Sequence, residues 1–108
     1  MTNSKRKGAV GERELAAKLT ELFGQHCRRG QQYNGLEGDD VVGLDGIHIE
    51  CKRTERLQVH ASMEQSMRDA KHDEIPIVCH RANRRDWIVI LRLDDLPQLI
   101  DKLIEFRR

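Results

Sequence analysis

The sequence predicts an α/β domain in which a mixed central β-sheet is flanked by helices, with elements in the order α-β-β-β-α-β-β-α. Three observations predict it. Helical apolar spacing marks both ends of the chain, β-prone runs fill the middle, and one more helical stretch separates those runs into two groups. At 108 residues, the chain is expected to hold a single domain, residues 1–108, around one core.

The first helix is expected from about Gly8 to Phe23, with Leu15, Leu19 and Leu22 along one face and Gly24 as its stop. Glu12 lies three residues before Leu15, in line with that apolar stripe, so its charge needs a partner. From Cys27 to Glu37 the chain reads as a short extended piece running into a Gly- and Gln-containing loop. Two strands follow, Asp39 to Leu44 and Ile47 to Arg53, joined by the hairpin signal Asp45-Gly46. In the second strand Ile47, Ile49 and Cys51 face one way and His48, Glu50 and Lys52 the other.

Met63, Met67 and Ala70 predict a helix over Ser62 to Lys71, with the two methionines as core residues. Strands are expected at Ile75 to His80, where Pro76 fits the first residues or an edge, and at Trp87 to Leu93. Trp87 is read as a packing residue. Asp95 is placed to cap a final helix carrying Leu96, Leu99, Ile100, Leu103 and Ile104.

Composition excludes several classes. Nineteen Lys and Arg against 18 Asp and Glu give a net charge of +1, so nucleic-acid binding has to rest on local clusters: Lys5, Arg6 and Lys7, Arg28 and Arg29, Arg81, Arg84 and Arg85, and the tail at Arg107 and Arg108. Cys27, Cys51 and Cys79 are too few and too scattered for a disulfide framework or a structural zinc site, and are expected as reduced, buried thiols. No segment reads as a signal peptide or a membrane span, so a cytoplasmic protein is expected.

Hydrolysis of a phosphodiester with a hard cation requires carboxylate oxygens on the metal and open positions for water and phosphate. Asp40 and Glu50 can supply those oxygens, with the backbone carbonyl of Cys51 as a third. Lys52 is placed by the strand period to hold or activate the attacking water. Register decides which aspartate takes part. A two-residue turn at Asp45-Gly46 brings Asp39 onto the Glu50 face, whereas a three-residue turn with Gly46 in the left-handed region pairs Asp40 with Glu50. His48 shares the Glu50 face and is read as a structural histidine; His26, His60, His72 and His80 form no ligand spacing.

Asp40-Val41-Val42, followed by Glu50-Cys51-Lys52 and preceded by a helix bearing Glu12, resembles the PD-(D/E)XK nuclease superfamily. Within it the chain is most similar to small Holliday-junction-resolvase-like and phage-encoded nucleases, whose opening helix has a segment like Gly8 to Leu15. The resemblance spans roughly Lys5 to Trp87. It implies a restriction-endonuclease-like fold and a Mg2+- or Mn2+-dependent endonuclease. The cation would be held by Asp40 and Glu50, with Glu12 joining directly or through water and Lys52 assisting the water. The apolar pair Val41-Val42 favours Asp40 over Asp39, although Asp39 stands where the family often has proline, and the assignment stays open.

Gln65 matches a glutamine that many members place beside the active site, while Ser62-Met63-Glu64-Gln65 also reads as a capping box. The basic residues Lys5, Arg6, Lys7, Arg28 and Arg29 are then candidates for DNA phosphate contacts. The absence of a recognition helix or zinc-finger signature points to DNA shape, such as a junction, as the feature recognised. Symmetric cutting needs two sites, so a homodimer is expected, working in a bacterial cell or phage-infected host. The alternatives are a nicking, flap or restriction-type nuclease, or a non-catalytic nucleic-acid-binding module of the same fold.

Overall fold

The computed structural model describes residues 4–30 and 40–107, with side chains from residue 8 onward. Asp39 and most of the loop before it, Arg108, and the side chains of Lys5, Arg6 and Lys7 lie outside the described residues. Helix α1 spans Ser4–Phe23, followed by strands β1 (Arg28–Arg29), β2 (Val41–Val42) and β3 (Ile47–Arg53). Helix α2 (Val59–Asp69) leads to β4 (Ile75–Arg81) and β5 (Ile88–Ile90), and a 3-10 turn at Leu93–Asp95 opens helix α3 (Leu96–Phe106). The predicted element order is therefore the observed one.

The five strands lie in chain order, with β3 and β4 parallel and all other neighbours antiparallel. The parallel register places Ile47 beside Ile75, Ile49 beside Ile77 and Cys51 beside Cys79. That face meets Leu15, Ala16 and Leu19 of α1 and Leu99 of α3 in the main core. On the opposite face lie His48, Glu50 and Lys52, with Val78 beside Glu50, and α2 covers them. The predicted alternation along β3 holds, yet its polar face is not a solvent face: His48 is 0% and Glu50 3% exposed.

The β2–β3 register resolves the turn. Ile47 N–H donates to Leu44 O at 3.2 Å across Asp45-Gly46, and Gly46 has φ +84°. Beyond the turn Val41 pairs with Ile49, the offset of the three-residue alternative. The extra residue is taken up at Gly43, whose φ of +129° suits glycine and few other residues.

Several local expectations are corrected. Helix α2 begins at Val59, not Ser62, because Ser62 N–H already donates to Gln58 O inside the helix; the capping box at Ser62 to Gln65 does not form. Its buried positions are Ser62, Met63 and Ser66, whereas Met67 is 40% exposed and is not a core residue. Helix α1 starts four residues before Gly8, and Leu22 lies on its exposed side. Strand β2 shortens to Val41–Val42, and β5 to Ile88–Ile90. Asp95 sits at the N-cap of α3 but makes no capping bond, since its carboxylate pairs with Arg92 Nε at 2.9 Å. Among the described residues no helix is long and apolar enough to cross a membrane. The three cysteines are free thiols, Cys27 and Cys79 buried and Cys51 partly so.

Candidate active site

Asp40 stands at the entrance to β2 and is fixed on three sides. Its backbone N–H donates to Ile49 O (3.1 Å), its carbonyl accepts from Gly30 N–H (2.9 Å), and its Oδ2 accepts from Cys51 N–H (2.8 Å). The aspartate is thus locked onto the Glu50-Cys51-Lys52 stretch of β3. Cys51 joins the cluster through its backbone N–H, the donor to Asp40; the expected role was for its carbonyl.

Glu50 projects from the α2 face of β3. Burial raises its proton affinity above the ordinary carboxylate range; the hydrogen bond from His48 opposes that, the Asp40 carboxylate adds to it, and Lys52 opposes it. His48 Nε2 lies 3.1 Å from Glu50 Oε1. Glu12 reaches the same region from α1, where burial and then the charge of Asp40 raise its proton affinity, against the Arg29 guanidinium. Arg29 Nε is 3.3 Å from Glu12 Oε1. Carboxylates from α1, from the entrance to β2 and from β3 therefore share one electrostatic neighbourhood, in which the proton affinities of Glu12 and Glu50 are raised.

Lys52, two residues beyond Glu50 on the same face, donates from Nζ to Gln65 Oε1 at 2.8 Å. With the capping box ruled out by the start of α2, Gln65 faces the sheet and holds the lysine. The structure thus brings together Glu12, Asp40, Glu50, Lys52 and Gln65. Arg28 and Arg29 are exposed on β1, and Arg29 pairs with Glu12.

Sequence reasoning missed two features. His48, Glu50 and Asp69 bring potential ligand atoms within 4.8 Å of one another, Asp69 being the last residue of α2. The i, i+2 alternation already placed His48 beside Glu50, but nothing local pointed to Asp69. Glu14 is held by Arg81 and by Arg53, at 3.8 Å from the latter, and Arg53 also donates to Asn83 Oδ1 at 3.0 Å. This network ties α1 to the ends of β3 and β4. Burial pushes the Cys79 thiol up to about 12 and the Cys51 thiol higher still, so both are poor nucleophiles.

A mixed α/β sheet in which a strand-opening aspartate locks onto a Glu-x-Lys strand, with a helix acid alongside, defines a nuclease of the PD-(D/E)XK superfamily with a restriction-endonuclease-like fold. The chain belongs to the family described as "Phage putative PDDEXK endonuclease", whose model matches residues 3–107. No curated protein and no solved structure gives a significant match.

Proposed function

We propose that this nuclease is a divalent-metal-dependent DNA endonuclease, selective for branched DNA in the manner of a Holliday-junction resolvase. The observation that carries the reading is the meeting of Asp40, Glu50 and Lys52, with Lys52 aimed by Gln65. The donor set fits Mg2+ or Mn2+: it consists of hard carboxylate oxygens from Asp40 and Glu50, with the Cys51 carbonyl and Glu12 able to complete it. Burial raises the proton affinity of both Glu50 and Glu12, and a cation bound between them would offset the cost of their charge.

A cation held by Asp40 and Glu50 would supply Lewis acidity toward the scissile phosphate and would make a water more acidic. The protein's own groups do the rest. Lys52 orients the attacking water in line with the leaving oxygen and offsets charge developing on the phosphate. Gln65 restricts Lys52 to that position. Arg28 and Arg29 hold flanking phosphates, as do Lys5, Arg6 and Lys7 at the start of α1, and such contacts position DNA without reading its sequence.

Paired cuts across a junction need two sites, so the working species is a homodimer. The half-exposed Ile100 and Ile104 of α3 support an interface on that helix. A protein acting on phage or host DNA works in the cytoplasm of the bacterial cell. The other readings keep the site and change its use: a nicking, flap or restriction-type nuclease, or a DNA-binding module without catalysis.

Cleavage of a synthetic four-way junction beside linear duplex and flap DNA, with Mg2+, Mn2+ or chelator, separates them. Paired, metal-dependent cuts on the junction that vanish in Lys52→Ala are expected. Cutting confined to flaps or duplex removes the branched-DNA assignment, and binding without cutting under any metal removes the enzymatic one.

A further inference from the structure

The buried histidine beneath the site has a use beyond packing. His48 lies two residues before Glu50 on the same face of β3, and neither side chain reaches solvent to any extent. In the parallel register its β4 neighbour is Pro76, and Val78 stands beside Glu50, so apolar residues fill the adjoining positions of this face. An apolar side chain would satisfy packing at position 48 without the desolvation cost of an imidazole. The imidazole supplies a hydrogen bond that an apolar side chain could not, Nε2 to Glu50 Oε1 at 3.1 Å. With Glu50 ionised, Nε2 is necessarily the donor, because a carboxylate only accepts.

We propose that His48 is a positioning residue for Glu50: its Nε2–H holds one carboxylate oxygen so that the group is fixed beside Asp40 in the orientation in which it can bind a divalent cation. The proposal rests on Glu50 being a metal ligand. The geometry supports it in two ways. Glu50 is bonded to His48 at 3.1 Å on the side of β3 where the Asp40 carboxylate, itself held by Cys51 N–H at 2.8 Å, is near enough to raise its proton affinity, so the group is fixed beside a second acid. Donor and acceptor stand two residues apart on one strand and are both buried, so the strand itself fixes their separation. Outer hydrogen bonds of this type set ligand orientation and commonly change metal affinity by about 10–100-fold. Asp69 belongs to the competing arrangement, in which His48, Glu50 and Asp69 bind the cation directly.

Two substitutions of nearly equal size separate the arrangements. His48→Gln can place an amide N–H near the position of Nε2, whereas His48→Met has no donor. Mn2+ affinity is measured by calorimetry on the full chain, alongside the unfolding temperature in chelator. His48→Gln is expected to bind Mn2+ within about 3-fold of the wild type and His48→Met about 10-fold or more weakly, with both unfolding within a few degrees of each other. Wild-type affinity in His48→Met overturns the proposal, as does equal loss in both variants, which indicates direct ligation. Glu50→Gln distinguishes the two levels of failure. If it loses Mn2+ while His48→Met does not, only the positioning role is wrong; if it keeps Mn2+, the ligand reading of Glu50 fails as well.

Discussion

Lys52 Nζ and Gln65 Oε1 are 2.8 Å apart, a bond between β3 and the middle of α2 that places the lysine beside Glu50. The amide has no charge to offer, so its contribution is directional. Gln65→Ala should lower the cleavage rate roughly 10-fold while leaving stability nearly unchanged, because Gln65 is only partly buried. Single-turnover kinetics together with thermal unfolding checks this. A rate equal to wild type would return Gln65 to an ordinary surface residue.

The raised proton affinities of Glu50 and Glu12 make stability depend on pH in a definite direction. Below the unfolded carboxylate pKa both states are protonated and the groups contribute no difference. As pH rises through that value the unfolded chain releases its protons first, so stability falls until the higher, folded pKa is passed. In chelator the protein should therefore lose stability between acidic and neutral pH on account of these groups. Glu50→Gln, which cannot ionise, should be more stable than wild type at pH 7 by on the order of 1 kcal/mol, with the gain disappearing at acidic pH. Unfolding temperatures across pH test it, and added Mg2+ should reverse the order at neutral pH by stabilising only the wild type.

Two glycines of α1 should respond oppositely to the same substitution. A Cβ at Gly8 meets nothing within 4 Å, so Gly8→Ala should stabilise by up to about 1 kcal/mol through helix propensity. At Gly11 a Cβ would lie 2.6 Å from Arg53 Cβ, where α1 crosses β3. Overpacking of this kind costs about 1–3 kcal/mol, which outweighs the propensity gain, so Gly11→Ala should destabilise. Chemical denaturation of the two variants measures the contrast.

How much of this was legible beforehand depended on whether the controlling interaction was local. The element order, the faces of β3 and the placement of Glu12, Glu50 and Lys52 followed from periodicity, a short-range signal, whereas the hairpin left Asp39 and Asp40 open and only the family resemblance favoured Asp40. The start of α2 did not, since Ser62 is a good cap in isolation and was overridden by Val59 to Ala61 continuing the helix. Nor did the buried side of α2: Ser66 packs closely against the sheet and donates Oγ–H to Ile77 O at 2.9 Å, so a serine occupies the position apolar spacing assigned to Met67. The Arg53–Glu14–Arg81 network joins residues far apart in the chain, which no local pattern encodes. Of the two readings of Gln65, the helix start removes the cap, and its contact with Lys52 is what the Gln65→Ala variant tests.

The most direct test of the site is single-turnover cleavage of the preferred DNA with Mn2+ by wild type, Asp39→Ala, Asp40→Ala and Lys52→Ala. Asp40 and Lys52 touch the Glu50 stretch of β3 or belong to it, so both of their variants should fall by about 100-fold or more, while Asp39→Ala stays within a few-fold of wild type. Wild-type rates in Asp40→Ala and Lys52→Ala would contradict the account and place the chemistry elsewhere in the molecule.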